Sequence, residues 1–332
     1  MVLLVTGKCD TSCFYCPLSS EKKGRSLTFA DEAQVDRDED IINEAKSIGA
    51  MGTGITGGDP LKALNRVLRY IRLLKGSFGA EHHVHLYTST IDRRAFLQLQ
   101  AAGLDELRIH PRFELWSTPE KIGLEKALKG LEMDVGIEIP AIPGMDGEIE
   151  KLIRYADRIG LGFVNLNELE FSETNYQALR KRGMDTGNDS SSSAVGSKEI
   201  ASKMMHLELR IPIHYCSSAF KDSVQLRNRL KRRARHIARP GDLMTSEGTL
   251  LKGMIEGVDA DRAAEYLRTN FDVPRRLMHY DAEKGRLEVA SWVLHELSPQ
   301  LPFDSFIVEE YPTADRLEVE RERLPRSKRK WK

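Results

Sequence analysis

The chain has 332 residues, enough for one large α/β domain and a smaller appendage. Its 50 basic residues balance 50 acidic ones, so no global charge draws it to nucleic acid or to a membrane. The apolar run at residues 1–5 is far short of the ~20 residues of a bilayer span, so a cytoplasmic protein with no membrane partner is expected.

The first two hundred residues alternate short apolar runs with amphipathic stretches. Residues 2–6 read as a buried strand and, after a polar loop, residues 29–48 as a helix stopped by Gly49. Residues 52–56 are a second strand. Leu61, Leu64, Val67, Leu68, Ile71 and Leu74 then repeat at helical spacing. Residues 83–89 are strand three, 92–102 a helix ended by Gly103, and 106–110 strand four. Ser117-Thr118-Pro119-Glu120 has the form of a capping box and predicts a helix opening there. Residues 135–139 are strand five. Ile149, Leu152, Ile153, Ala156 and Ile159 mark the next helix, and residues 162–166 are strand six.

Strands and helices alternating in this way imply βαβ units and a parallel sheet. Six units are too few for a closed eight-stranded barrel, so the expected class is α/β, a partial (βα)6 open barrel of parallel strands. The pattern breaks at a serine-rich loop over residues 187–193. A helix at 198–206 and a strand at 207–215 then offer a closing element. Beyond Pro240-Gly241, strands at 249–255, 276–280, 287–293 and 306–310 and a helix at 261–269 predict a small α+β C-terminal domain. The expected division is residues 1–239 and 240–332.

Three of the four cysteines, Cys9, Cys13 and Cys16, fall within eight residues, on the loop directly after the first strand, spaced C-x3-C-x2-C. In a chain expected to be cytoplasmic this points to metal ligation rather than disulfides. Thiolates are soft ligands that suit iron–sulfur clusters or zinc. Most zinc sites pair two C-x2-C knuckles, and no second knuckle exists here. Three sulfurs can hold three irons of a four-iron cube and leave the fourth open to a ligand.

The spacing C-x3-C-x-aromatic-C after a first β-strand resembles the radical S-adenosylmethionine (SAM) superfamily. The resemblance covers about residues 1–215 and is closest in general look to activating enzymes of the pyruvate formate-lyase type. It implies a [4Fe–4S] cluster on the three cysteines and SAM chelated at the open iron. Reductive cleavage would then give a 5′-deoxyadenosyl radical that abstracts hydrogen from a substrate. It also implies an adenine contact at Tyr15. Gly57-Gly58-Asp59-Pro60, ending strand two, resembles the family's Gly-Gly-Glu-Pro motif for the SAM amino group, with Asp59 where Glu is usual. Ser89 at the end of strand three is a further candidate SAM contact. Asn165 and Asn167, at the end of strand six, are open to two roles, contacting the ribose or substrate or capping the sheet.

Cys216 is open to a substrate, hydrogen-donor or thiolate role, or to plain burial. His214 beside it is open to the same functional roles or to being a core histidine, the latter being the main reading. Residues 227–239 carry Arg227, Arg229, Lys231, Arg232, Arg233, Arg235 and Arg239 and no acid, and residues 326–332 are also basic. A solvated face is the main reading, with grip on RNA phosphates or on an acidic substrate the alternative. The polar turn at residues 309–315 is open to covering the barrel or to a structural role. The expectation is therefore a radical SAM enzyme whose substrate is a protein or peptide, a metabolite or a tRNA, served by a reductase or other low-potential electron donor. The alternative is an iron–sulfur or zinc-binding module that docks RNA without catalysis. A protein ligand on the fourth iron would favour that module, and Cys216 is the only cysteine left to supply one.

Overall fold

A computed structural model describes residues 1–187 and 192–327; part of the serine-rich loop and residues 328–332 of the basic C-terminal run lie outside the described residues. The chain divides into two compact units. The first is Met1–Lys46 with Ala50–Val224; the second takes Ser47–Gly49 and the chain from Gln225 on, so the basic helix goes with the second unit.

The first unit is built on β1 (Val2–Leu4), β2 (Phe29–Ala30), β3 (Ala33–Gln34), α1 (Asp38–Ser47), β4 (Gly52–Thr56), α2 (Leu64–Phe78), β5 (His83–Thr88), α3 (Arg93–Ala102), β6 (Glu106–Ile109), α4 (Leu124–Leu128), β7 (Asp134–Ala141), α5 (Asp146–Arg158), β8 (Phe163–Glu168), α6 (Tyr176–Arg180), α7 (Ser197–Met205), β9 (Ile213–Cys216) and α8 (Ser218–Phe220). Its sheet runs β3-β2-β1-β4-β5-β6-β7-β8-β9, with β1 and β4 to β9 all parallel and, among the described residues, no strand joining the two ends. This is the open, partial barrel of parallel strands that the alternating pattern predicts.

Side chains alternate across each strand, which gives the sheet two chemically different faces. Leu3, Ile55, Val84, Leu86, Leu107, Ile109, Ile137, Ile139, Val164 and Leu166 are buried under the helices. They meet Val67, Ile71 and Leu74 of α2, Phe96 and Leu99 of α3, and Ile149, Leu152 and Ile153 of α5. α3 starts where the Asp92 carboxylate accepts the N–H groups of Arg94 and Ala95. The opposite face carries His83, His85, Tyr87, Glu106, Arg108, Glu138, Asn165 and Asn167.

Three expectations about the elements of this unit need correction. Residues 29–34 are a β-hairpin, not the start of a helix. Asp31 turns at φ +50° and accepts the Val2 N–H at 2.9 Å, so the hairpin satisfies the free edge of β1 and the helix begins only at Asp38. The capping box at 117–120 makes no cap hydrogen bond. Residues 119–122 form a 3-10 turn, the Glu120 carboxylate pairs with Arg158, and α4 is short. The strand expected over 207–215 pairs only from Ile213, because Asp157 Oδ1 takes the N–H groups of Arg210 and Ile211.

The second unit contains α9 (Arg227–Ile237), β10 (Leu243–Met244), β11 (Leu250–Ile255), α10 (Ala260–Phe271), β12 (Met278–Asp281), β13 (Arg286–Val289), α11 (Ser291–Leu297), β14 (Ser305–Glu310) and β15 (Glu318–Arg323). Its antiparallel sheet runs β12-β13-β11-β14-β15, with β10 on β11. The expected strand over 287–293 stops at Val289. Ala290 donates back to Leu277, and the apolar run continues as α11 with Leu294 in the core. No helix of the described residues is long and apolar enough to cross a membrane.

Candidate active site

The strand-end loops of the first unit line one cavity of about 350 Å³, into which Cys9, Cys13 and Cys16 all open. None of the three is in a disulfide, and each is half-buried. The Thr11 hydroxyl stands between two of the sulfurs, 2.9 Å from Cys9 Sγ and 3.6 Å from Cys13 Sγ, and the Thr11 N–H donates to Cys9 Sγ at 3.4 Å. A turn from Cys16 N–H to the Cys13 carbonyl closes the loop. Lys62 pairs with Asp10 on its outer side.

The loop is fastened to its neighbour by backbone contacts. Gly58 N–H donates to the Thr6 carbonyl and Asp59 N–H to the Lys8 carbonyl, both at 2.7 Å. A Cβ on Gly58 would lie 2.4 Å from the Lys8 oxygen, and one on Gly57 2.3 Å from the Thr6 oxygen, so only glycine permits this approach. Gly57, Gly58 and Pro60 line the cavity; Asp59 does not. Its carboxylate is 1% exposed and accepts from the hydroxyls of Thr88 (2.7 Å), Ser89 (2.9 Å) and Thr90 (2.7 Å) and from Leu61 N–H (3.1 Å). Asp59 therefore ties the end of β4 to the end of β5. Ser89 lines the cavity with its hydroxyl turned to Asp59.

Tyr15 also lines the cavity, held in an aromatic cluster with Phe14, Phe113 and Trp116. Its hydroxyl meets His110 Nε2 at 2.9 Å, and His110 Nδ1 meets the Glu138 carbonyl at 2.8 Å. A carbonyl only accepts, so Nδ1 carries the proton. Burial lowers the His110 pKa, so the ring is neutral, Nε2 accepts, and Tyr15 donates. Burial raises the Tyr15 pKa and keeps that proton in place.

Asn165 and Asn167 converge on a residue the sequence did not single out. Asn165 Nδ2 donates to Glu138 Oε2 at 3.0 Å and Asn167 Nδ2 to Oε1 at 2.7 Å, while Arg108 donates to Oε2 at 2.9 Å. Glu138 and Asn167 line the cavity; Asn165 acts from below. Arg108 also donates to the Tyr87 hydroxyl at 2.9 Å. Its pKa is raised: burial pulls down, but Tyr87, Glu138 and Glu106 outweigh it. The register pairs Glu138 with Asn165 across β7 and β8, a juxtaposition that only the folded sheet creates. Asn175 was likewise not foreseen; its amide donates to the Tyr15 and Glu170 carbonyls and anchors the cysteine loop to the segment after β8.

The remaining rim carries Glu170 and Lys221, paired at 2.6 Å, and Glu168, whose carboxylate takes the N–H and hydroxyl of Ser218 at 2.8 and 2.9 Å. Cys216 pairs in register with Asn167, and burial raises its thiol pKa. It is not among the cavity-lining residues. His214 is exposed on β9, which overturns the core-histidine reading.

Comparison with known proteins fixes the family. A protein of Methanocaldococcus jannaschii named "Putative glycyl-radical enzyme activating enzyme" is 38% identical over 352 aligned residues, covering 100% of this chain and 92% of the relative. The chain belongs to the radical SAM superfamily, with the activating-enzyme type. It is accordingly an enzyme, which sets aside the non-catalytic RNA-docking module. Solved radical SAM structures it is similar to include the FeFe-hydrogenase maturase HydG of Carboxydothermus hydrogenoformans (15% identity, 52% of this chain, 45% of that chain, TM-score 0.40). Another is Streptococcus suis SuiB bound to precursor peptide SuiA (12% identity, 75% of this chain, 58% of that chain, TM-score 0.45). The radical SAM chain thus spans about half the length of those two proteins. Residues 248–324, which carry β11 to β15 of the second unit, match a domain of unknown function, DUF8061.

Proposed function

We propose that this radical SAM enzyme cleaves SAM reductively and abstracts a hydrogen atom from its substrate, with Cys9, Cys13 and Cys16 holding a [4Fe–4S] cluster. When bound, that cluster supplies the electron that splits the S–C5′ bond of SAM into methionine and a 5′-deoxyadenosyl radical.

One observation carries the reading: three unpaired thiols and the Gly57–Gly58 backbone open into a single cavity floored by Glu138 and Asn167. The donor set fits the cluster. The thiols are soft ligands on one loop, and the nearby histidine, His110, has both ring nitrogens engaged. Among the described lining residues no fourth cysteine closes the set, which leaves one coordination position for a ligand.

The chain's own residues then divide the work. Thr11 keeps the Cys9 and Cys13 sulfurs apart. Gly57, Gly58 and Pro60 bring backbone against the methionine end of SAM, with Asp59 and Ser89 fixing that segment from behind. Tyr15, held by His110, forms the wall for the adenine. Asn167, set by Glu138 together with Asn165, meets the ribose or the substrate. A low-potential electron donor serves the exposed side of the cysteine loop. The relative's name makes a glycyl-radical enzyme the first protein substrate to try.

The test is anaerobic reconstitution with iron and sulfide, addition of dithionite and SAM, and measurement of 5′-deoxyadenosine. Wild type should form it, and Cys9→Ala, Cys13→Ala and Cys16→Ala should each abolish it. Cys216→Ala should retain the cluster and uncoupled cleavage. Bound zinc in place of iron, or a cluster indifferent to SAM, would overturn the proposal.

A further inference from the structure

We propose that His83, His85 and Glu106 form a second metal site, for one divalent first-row cation such as Zn²⁺, at the end of the sheet opposite the cysteine loop.

The strand pattern puts these residues together. Val84 and Leu86 of β5 and Leu107 and Ile109 of β6 are buried under the helices, so His83, His85 and Glu106 project from the other face. His85 and Glu106 are direct register partners, and His83 is the first residue of β5. The parallel strands run toward the cysteine rim, so this cluster sits at the N-terminal rim, and none of the three lines the cavity described above.

One ligand atom from each lies within 4.8 Å of the other two. His83 Nε2 already stands 3.6 Å from Glu106 Oε2. Bonds of about 2.0–2.1 Å to a tetrahedral ion place donor atoms roughly 3.3–3.5 Å apart, so small side-chain rotations complete the set. Two imidazoles and a carboxylate leave a fourth position for water, which suits zinc and its neighbours better than calcium or magnesium.

Three further observations point to a ligand rather than to a simple ion pair. His85 Nδ1 is fully shielded and has no hydrogen-bond partner, a state that costs about 1–3 kcal/mol unless something meets it. Space for its ring is built into the sheet: Gly54 faces His85 from β4, and a Cβ there would lie 2.5 Å from His85 Nε2. Arg108 Nε donates to Glu106 Oε1, which orients the carboxylate and leaves Oε2 facing His83. Since Arg108 also donates to Glu138, the same guanidinium joins this cluster to the cavity floor.

The test uses the untagged full chain with its cluster reconstituted, stripped of loose metal and titrated anaerobically with Zn²⁺ by calorimetry, with zinc and iron counted by mass spectrometry. Wild type should take up one zinc per chain beyond its iron. His83→Ala, His85→Ala and Glu106→Gln should each weaken that uptake by at least about tenfold with iron content unchanged. His83 is half-exposed, so its variant reports on ligation even where the His85 variant fails to fold. Cys216→Ala should leave the zinc in place. No zinc uptake by wild type, uptake unchanged in the His83 and Glu106 variants, or loss in the Cys216 variant would overturn the site.

Discussion

Asp59 shows how one substituted position changes a family motif. Where the motif usually carries glutamate, the shorter side chain is drawn inward, and three consecutive hydroxyls at the end of β5 close over it. Its work is to hold two strand ends together. Asp59→Ala would leave the buried Thr88 hydroxyl and the partly buried hydroxyls of Ser89 and Thr90 without this acceptor, at a cost of about 2–3 kcal/mol. We expect a lower melting temperature and weaker SAM binding, with iron content near wild type. Unchanged thermal stability would show that the hydroxyls find other acceptors. A parallel contrast separates the two asparagines. Asn167→Ala removes a group that lines the cavity and should weaken SAM or substrate binding more than Asn165→Ala, which acts through Glu138. Equilibrium dialysis with the two variants tests the order, and equal effects would count against it.

At the scale of elements, the turn after β4 is the joint on which the site depends. Gly58→Ala places a methyl group against the Lys8 and Gly7 carbonyls, which are backbone and cannot swing aside. The loop must shift, so this variant should lose reconstituted iron as well as SAM binding, although Gly58 carries no ligand. Full iron loading in Gly58→Ala would mean that the two loops move independently. The parallel strands were legible because Leu3, Ile55, Leu86, Leu107, Ile137 and Val164 mark one buried face at intervals set by the βα repeat. The hairpin at 29–34 was not, since its turn uses Asp31 at positive φ without a glycine to announce it. β15 was also missed. Its Glu-Val-Glu-Arg-Glu-Arg stretch is mostly exposed and has no apolar alternation to read. The cysteines were legible as a site because their spacing is local. Glu138, Arg108, Asn175 and the His83–His85–Glu106 cluster were not, because each depends on strand register or on loops far apart in sequence.

On the scale of the molecule, the two units are stabilised differently. The first rests on apolar layers, whereas the second adds a dense ionic network to its apolar core. Glu310, 1% exposed, takes Lys252 at 2.6 Å, Arg286 at 2.7 Å and Arg316 at 3.2 Å. Glu288 takes Arg316 at 2.6 Å, Arg239 at 2.7 Å and Arg286 at 2.8 Å. Burial pulls the Glu310 pKa up, but the Lys252 and Arg286 hydrogen bonds and the Arg316 charge prevail and bring it from 4.5 to about 2. A depressed folded-state pKa contributes stability that is complete above about 4.5 and lost as pH falls toward 2. The shift corresponds to on the order of 3 kcal/mol. Glu310→Gln should therefore lower stability at pH 7, because it leaves buried cations without their partner. It should also flatten the decline between pH 4.5 and 2.5. Urea unfolding of the full chain at those three pH values, followed by circular dichroism and tryptophan fluorescence, measures both effects. Parallel curves for wild type and variant would place the acid lability elsewhere in the network, with Asp281 and Glu318, whose pKa values are also lowered, next in line.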